Sequence, residues 1–563
     1  MMRHFIGKLT FVLGCAVCTA LPARAQTTNH NFEVMKHLDI FNQLYRELDL
    51  FYVDTLSAKK NIGNAINYML EMIDPYTEYY AAENTNDLKQ MTTGKYAGIG
   101  SVISYRDELK RCIIEKPYEG NPAADAGLLP GDIILAIDGK DIPTCDSKDL
   151  EKRAEYSNSV STGVRGEAGT TLELKVRRPT NNRTYTFKVT RRSILIPSVS
   201  LATVLSDSIG YIKITQFIEG TSNEVRRAMV DLKQQGARSL ILDLRNNPGG
   251  VLEEAVKTVN LFIPRGREVV NMKSKVKEAN QTYKTVLDPQ DPDIPLIVLT
   301  NEQSASSSEI TAGALQDYDR ALIVGRRTYG KGLVQQSREL AYKGALKLTV
   351  GKYYIPSGRC VQAYEFRDGM PVHRPDSLSR EFRTANGRIV RDGGGIKPDV
   401  EIKSDSLPNL LAYMDASTQL FDFCVNYCAK HPKIAQPEDF SISDDEYADF
   451  CEFMKKHKFT YDRQSLRVLE TLKTFARFEG YDTEARAEIE ALEKKLKHNE
   501  DYDFKRWKPE IKKVLEAAIV ERYYFDAGRY RYLLRTDKEV QQAVKLMRNT
   551  KAMLKTLSGE PEA

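Results

Sequence analysis

Apolar residues recur every three or four positions through FEVMKHLDIFNQLYRELDLFYV, the repeat of an amphipathic helix. The spacing predicts a small helical N-terminal region over 26–92. From residue 93 the pattern changes. Tyr96-Ala97-Gly98-Ile99-Gly100 opens on glycines and runs on as a strand through SVISY. The apolar run Ile133–Ile137 stops at Asp138-Gly139, a tight-turn pair. A polar segment follows, and then TTLELKVRR and RTYTFKVTRR read as a strand pair joined through Asn181-Asn182. A compact β-rich module is predicted over 93–192.

Over 193–403 strand and helix patterns alternate. Gly210–Ile214, Ser239–Leu244, Pro295–Thr300 and Ala321–Gly325 read as strands; Asn223–Gln235, Glu253–Phe262 and Ser306–Gln316 read as helices. That βαβα order implies an α/β core with a largely parallel sheet. Residues 404–563 are charged and mostly helical in pattern, and ARAEIEALEKKLK (485–497) places its apolar residues on one stripe. The expected fold class is multidomain α/β.

Composition narrows the classes. With 563 residues, 41% hydrophobic and 28% charged, the chain is too long for one ordinary domain and can build sizeable cores. It is not a disordered, collagenous or polytopic membrane protein by composition. The 82 basic and 77 acidic residues give a net charge of +5, which offers nothing toward nucleic-acid binding. The first residues, MMRHFIGKLTFVLGCAVCTALPARAQTT, combine Arg3 and Lys8, an apolar run over Leu9–Leu21 and a small-x-small site, Ala23-Arg24-Ala25. They read as a secretory signal peptide over 1–25. The expected product is exported and periplasmic, soluble or peripherally associated with the membrane. Without the three basic residues of 1–25 the net charge falls from +5 to +2. Seven histidines, none in an HxxxH spacing, and no CxxC pair among the six cysteines after residue 25 argue against a metal centre. No metal and no cofactor are expected. Of the six cysteines after residue 25, Cys424 and Cys428 would share one helix face as packed small side chains.

Two groups of motifs carry the chemistry. Tyr96–Gly100, Asn121-Pro122-Ala123-Ala124-Asp125-Ala126-Gly127-Leu128 and Leu129-Pro130-Gly131-Asp132-Ile133-Ile134 with Ile137-Asp138-Gly139 resemble a PDZ domain. A glycine loop before an open strand edge leaves backbone N–H groups free for a terminal carboxylate and pairs with an extended peptide. The resemblance places peptide binding at Gly98, Ile99 and Gly100. Asp243–Gly250 (DLRNNPGG), Ser304–Ile310 (SASSSEI), Ala312–Asp317, Thr328-Tyr329-Gly330-Lys331-Gly332 with Gln335, and Gly395–Val400 resemble the carboxyl-terminal processing proteases, serine peptidases with an inserted PDZ domain. This likeness spans about residues 35–402.

A serine hydroxyl needs a base. His373, in the polar stretch PVHRPDS, is the one histidine of the α/β region and a poor candidate. A lysine serves if burial brings its pKa from ~10.4 to roughly 7–8, at about 4 kcal/mol. Lys331, set between two glycines, is the candidate. Ser304, Ser306, Ser307 and Ser308 compete as nucleophile, and Ser306-Ser307-Ser308-Glu309 also fits a helix capping box. The resemblance selects Ser306, 25 residues before Lys331. It also implies Gln335 as the residue that orients the lysine, Gly250 and the Ser307 N–H as the oxyanion hole, and Asp317 as a supporting residue. Arg165, late in the β-rich module, is a candidate for coupling peptide binding to the protease site. Residues 325–332 come close to a P-loop, but Gly332 stands where a hydroxyl is required and a strand pattern follows.

The expectation is an exported serine endopeptidase with a Ser-Lys-Gln arrangement, whose partners are proteins or peptides bound by their C-termini, with no nucleic acid. The competing class is a catalytically silent PDZ scaffold. The helices of 404–563 leave open a homo-oligomer, substrate gating or an adaptor.

Overall fold

In the computed structural model the described residues are 21–403, 407–496 and 500–559. The chain forms two compact units, 1–79 and 80–563. In the first, α1 (Leu21–Phe51) and α2 (Ala58–Glu71) supply the expected helices, and Ser57 caps α2 by accepting from the Lys60 N–H at 3.4 Å. The signal-peptide reading falls mostly on residues 1–20, outside the described residues.

The second unit begins with α3 (Thr85–Thr93) and β1 (Lys95–Gly98). The β-rich module follows: β2 (Ser101–Arg106), β3 (Arg111–Pro117), β4 (Ile133–Ile137), α4 (Leu150–Val164), β5 (Thr171–Arg178) and β6 (Arg183–Thr190). The antiparallel order is β2-β3-β4-β5-β6, so β2 is an edge strand, and α4 packs along it. Asp138 and Gly139 both take positive φ (50° and 74°), as a turn of the mirror-image hairpin type requires. β7 (Arg192–Leu195) returns antiparallel to β1, so both ends of the module leave through one two-stranded stem. The segment after Gly139 needs correction: it holds α4 and is not merely a polar connection. Its inward stripe is Tyr156, Val160 and Val164, at four-residue spacing but short and set among serines, an asparagine and a glycine.

The α/β region contains β8 (Val199–Val204), β9 (Ile209–Ile214), α5 (Thr221–Gln234), β10 (Ser239–Asp243), α6 (Leu252–Asn260), β11 (Glu268–Ser274), β12 (Gln281–Lys284), β13 (Leu296–Thr300), α7 (Ser307–Asp317), β14 (Leu322–Gly325), β15 (Leu333–Glu339), β16 (Ala345–Tyr354) and β17 (Val400–Glu401). Its main sheet runs β8-β9-β10-β13-β14-β17, parallel from β9 onward. Strands such as Leu296–Thr300 are buried along their whole length because both faces are covered. Leu240, Leu242 and Val298 pack with residues of α5, α6 and α7; the alternate Ile241, Ile297 and Leu299 face other helices. A second, antiparallel sheet joins β12, β11, β16 and β15. β15 is the strand expected after Gly332, where a P-loop would need a helix.

The rest is helical: α8 (Asn409–Asp415), α9 (Thr418–Lys430), α10 (Asp444–Lys456), α11 (Gln464–Glu479), α12 (Arg486–Leu496), α13 (Lys508–Leu534), α14 (Lys538–Arg548) and α15 (Thr550–Ser558). α8, α9, α10 and α13 share a core that includes the fully buried Cys424, whose thiol burial pushes up to about 12. All six cysteines after residue 25 are unbridged. The stripe on α12 buries no residue. α14 and α15 lie on the main sheet, where Val540, Ala543, Met547, Met553 and Leu557 cover Ile241, Ile297 and Leu299. α13 also reaches the β-rich module, through Lys116 and Glu521 at 2.6 Å and Arg522 to the Glu115 carbonyl at 3.1 Å.

Candidate active site

Three segments converge over the C-terminal ends of the parallel strands. The loop after β10 carries Gly249 and Gly250, the turn after β13 carries Ser306, and the loop after β14 carries Lys331. The ends of neighbouring parallel strands bring these distant stretches together. Ser306, Gly249, Gly250, Lys331, Gln335 and Tyr353 line one cavity of about 520 Å³.

Ser306 immediately precedes α7 but has φ 54° and ψ −114°. An ordinary N-cap residue is extended, so the capping-box pattern describes only part of this turn. A non-glycine residue at such angles stores about 1–3 kcal/mol of strain, which its surroundings must hold. Those surroundings are visible. Glu309, fully buried, accepts four hydrogen bonds. Its Oε2 takes the Ser306 N–H (2.9 Å) and the Lys331 N–H (2.8 Å). Its Oε1 takes the Gly330 N–H (2.7 Å) and the Thr328 hydroxyl (2.6 Å). The backbones of the serine and the lysine thus share one acceptor atom. Burial raises the Glu309 pKa above the ordinary carboxylate range, and the four donors oppose that shift. On the other side, the buried Tyr353 hydroxyl donates to the Lys331 carbonyl at 2.6 Å and lies 3.3 Å from that of Ser306.

The glycines fit as tightly. A Cβ on Gly249 would stand 2.8 Å from the Ser306 Cβ and 2.9 Å from the Ser307 nitrogen. Phe217 brackets Gly250: its N–H donates to the Gly249 carbonyl (2.8 Å) and its carbonyl accepts the Val251 N–H (2.7 Å). Gly250 itself takes φ 137°, a backbone region that favours glycine. Its carbonyl accepts the Ser307 hydroxyl at 2.9 Å. Ser307 is the first residue of α7, where helix N–H groups lack intrahelical partners. Gly250 and the first residue of α7 thus stand side by side next to Ser306.

The structure brings together Ser306, Ser307, Lys331, Gln335 and Gly250. Gln335 lies at a register shift in the β15–β16 pair, with its amide 3.2 Å from the Thr349 hydroxyl. Asp317 is apart from them. It closes α7, which at 11 residues is about 16 Å long. There it pairs with Arg359 at 2.7 Å and accepts the Ser357 N–H at 2.9 Å. His373 is exposed, edge-on to Tyr364. Sequence reasoning did not single out Glu309 or Tyr353 for this site. The glutamate of the capping box was a signal for the first; nothing local marks the second.

In the β-rich module, the Ile99 carbonyl accepts the Ala123 N–H (2.8 Å) and the Gly100 carbonyl the Tyr118 N–H (2.9 Å). A trans peptide points its N–H opposite to its C=O, so the amides of Gly100 and Ser101 face away from those partners. Ile99 itself is core. Gly98 belongs to the stem, and Arg165 stands beside it, 5.6 Å from the centroid of the Tyr96 ring.

The chain is similar to known proteins in several of its regions. Family models match Peptidase family S41 over residues 208–371, a PDZ domain over 113–178, and a probable PDZ-protease C-terminal helical domain over 410–547. The carboxy-terminal-processing protease of Bartonella bacilliformis is 33% identical over 371 residues, covering 65% of this chain and 82% of that protein. A probable CtpA-like serine protease of Staphylococcus epidermidis is 33% identical over 425 residues, 74% of this chain and 83% of that one. Among solved structures, the photosystem II D1 C-terminal processing protease is 27% identical, covers 65% of this chain and 87% of that chain, and has a TM-score of 0.35.

Proposed function

The chain belongs to the carboxy-terminal-processing serine proteases of peptidase family S41, and from that premise we propose how and where it works: as an exported endopeptidase that takes protein substrates by their C-termini and cleaves them with Ser306 and Lys331. The N–H groups of Gly100 and Ser101 receive the terminal carboxylate, and the substrate extends along the free edge of β2 beside α4. Neutral Lys331 Nζ takes the Ser306 hydroxyl proton as Oγ attacks the scissile carbonyl. The oxyanion forms against the N–H groups of Gly250 and Ser307, two fixed dipoles that need no rearrangement. Lys331 returns the proton to the leaving amine, an acyl-enzyme remains on Ser306, and water releases it by the same route in reverse. Gln335 orients the lysine. Asp317 supports the far end of α7 and moves no proton.

The observation that carries this reading is the Glu309 carboxylate, which binds the backbones of Ser306 and Lys331 on one oxygen. A solely peptide-binding scaffold has no use for a strained serine held there. The test compares wild type with Ser306→Ala and Lys331→Ala on an unfolded substrate with an apolar C-terminus. Both variants should fall to background while keeping the fold. Equal cleavage by all three sinks the assignment, and no cleavage by any favours the scaffold. Export is tested by sequencing the N-terminus of the mature protein, expected at Gln26. No helix among the described residues is long and apolar enough to cross a membrane.

A further inference from the structure

The helical region beyond residue 407 sends one side chain toward both loops of the site. α14 is capped by Asp537, whose Oδ1 accepts the N–H groups of Glu539 and Val540, each at 3.0 Å. This cap fixes Glu539 in the first turn of α14, and the Val540, Ala543 and Met547 side chains anchor the helix on the main sheet. The Glu539 carboxylate is divided. Oε2 meets the Arg245 guanidinium at 2.5 Å, and Oε1 meets the Arg326 guanidinium. Arg245 also holds Asp537 at 2.9 Å, and Arg326 holds Glu302 at 2.7 Å.

The two arginines occupy matching places. Arg245 lies five residues before Gly250, and Arg326 lies five residues before Lys331. Each stretch is stiff. Asn246 and Asn301 bond each other, and the Asn247 carbonyl accepts the Ala305 N–H (3.0 Å) and the Ser308 hydroxyl (2.9 Å). Along the second stretch, the Arg326 N–H binds the Thr300 carbonyl (2.9 Å), the Tyr329 N–H the Ser304 carbonyl (3.0 Å), and Thr328 and Gly330 bind Glu309. A displacement at either arginine therefore passes through bonded backbone to the glycine amide or to the lysine.

We propose that Glu539 is a positioning residue of the peptidase: its carboxylate, supplied by the C-terminal helical region, sets the Gly250 loop and the Lys331 loop at their working separation. The proposal rests on the reading of Ser306 and Lys331 given above. A bidentate carboxylate suits this task because each oxygen takes one planar guanidinium, so one rigid group measures the spacing of two loops. It gives the helical region a catalytic task distinct from cleavage chemistry and from substrate capture.

The test uses the full chain, with kcat and KM measured separately on one unfolded protein substrate well below the melting temperature. Glu539→Gln keeps the shape and removes the charge. Its kcat should fall about tenfold or more with KM within about twofold, since small displacements of reacting groups act on the transition state. Arg326→Gln should do the same. The double variant should be little worse than either single one, because both break the same contact. Should Glu539→Gln fail to fold, Arg326→Gln reads the clamp alone. Met553→Ala, which thins the same helix–sheet packing without touching the clamp, should lower the melting temperature and keep kcat. Unchanged kcat in Glu539→Gln, fully additive losses, or an equal kcat loss in Met553→Ala would each overturn the proposal. If those variants keep wild-type kcat while Ser306→Ala is inactive, only the clamp fails. If Ser306→Ala cleaves like wild type, the reading of the site fails, and the clamp with it.

Discussion

Helix α7 begins and ends at a buried carboxylate, and the two are satisfied in different ways. At its C-terminal end, Asp317 (3% exposed) has a cation, Arg359, 2.7 Å away, together with one backbone N–H. In its first turn, Glu309 (0% exposed) accepts from three backbone N–H groups and one hydroxyl. Burial raises both carboxyl pKa values; Arg359 opposes the rise at Asp317, and hydrogen bonds oppose it at Glu309. An ion pair between two side chains fastens a helix end to one loop. Four donors drawn from the Ser306 turn and the 328–331 loop define where those segments stand relative to each other. Loss of the first bond system should therefore be felt as stability, and loss of the second as rate.

The largest effect on rate in this comparison is expected from Glu309→Gln. The amide offers one acceptor oxygen, and its NH₂ group faces donors. With its oxygen on the Ser306 and Lys331 side, the NH₂ meets the Gly330 N–H; with the oxygen on the other side, it meets the Ser306 and Lys331 N–H groups. Either way at least one buried donor loses its partner, at about 1–3 kcal/mol. We expect kcat to fall by about a hundredfold or more, as misplacement of reacting groups by about an ångström does. Steady-state kinetics with a parallel thermal melt checks this. A variant that melts early yet keeps kcat per folded molecule would reduce Glu309 to a structural residue.

Asp317→Asn should show the opposite profile. It leaves Arg359 buried beside a neutral amide, at about 3–5 kcal/mol of stability. Among folded molecules kcat should stay within about threefold of wild type, because the helix that separates the residue from Ser306 is about 16 Å long. Denaturant unfolding read together with kinetics decides it. A rate loss as deep as that of Glu309→Gln at matched stability would erase the difference between the two ends.

How much of this could be read along the chain follows the range of the interactions. The main sheet was legible because each strand is a short apolar run and each helix an amphipathic one. Ser306 and Lys331 stood out through motifs that surround them locally. Helix α4 was hidden because its stripe, Tyr156, Val160 and Val164, is short and set among serine, asparagine and glycine, which favour turns. Tyr353 was hidden for a different reason. It sits within the strand ALKLTVGKYY, where an aromatic residue is ordinary, and its hydroxyl bonds to residues 22 and 47 positions earlier. Glu309 was half visible: the capping box announces its bond to the Ser306 N–H, while its bonds 19 to 22 residues onward depend on the loop after β14 folding back over α7. The apolar stripe on α12 was read from its spacing, but spacing does not say whether a partner exists to bury it.

Tyr353 gives the finest division between fastening and positioning. It is 1% exposed, its ring belongs to the core beside α7, and burial holds its phenol well above the ordinary range, so it acts as a donor. Tyr353→Phe keeps that ring and removes only the hydroxyl. The Lys331 carbonyl then loses a buried donor, at about 1–2 kcal/mol, while Glu309 still holds the lysine's N–H. If Glu309 sets the position and Tyr353 restrains its fluctuation, kcat should fall only about three- to tenfold, with KM unchanged. The double variant Glu309→Gln/Tyr353→Phe should lose less than the product of the single losses, because both hydroxyl and carboxylate act on the same two backbone segments. Strict multiplication of the two losses would mean that the carboxylate and the phenol act on separate features, and that the geometry of the site is divided between them.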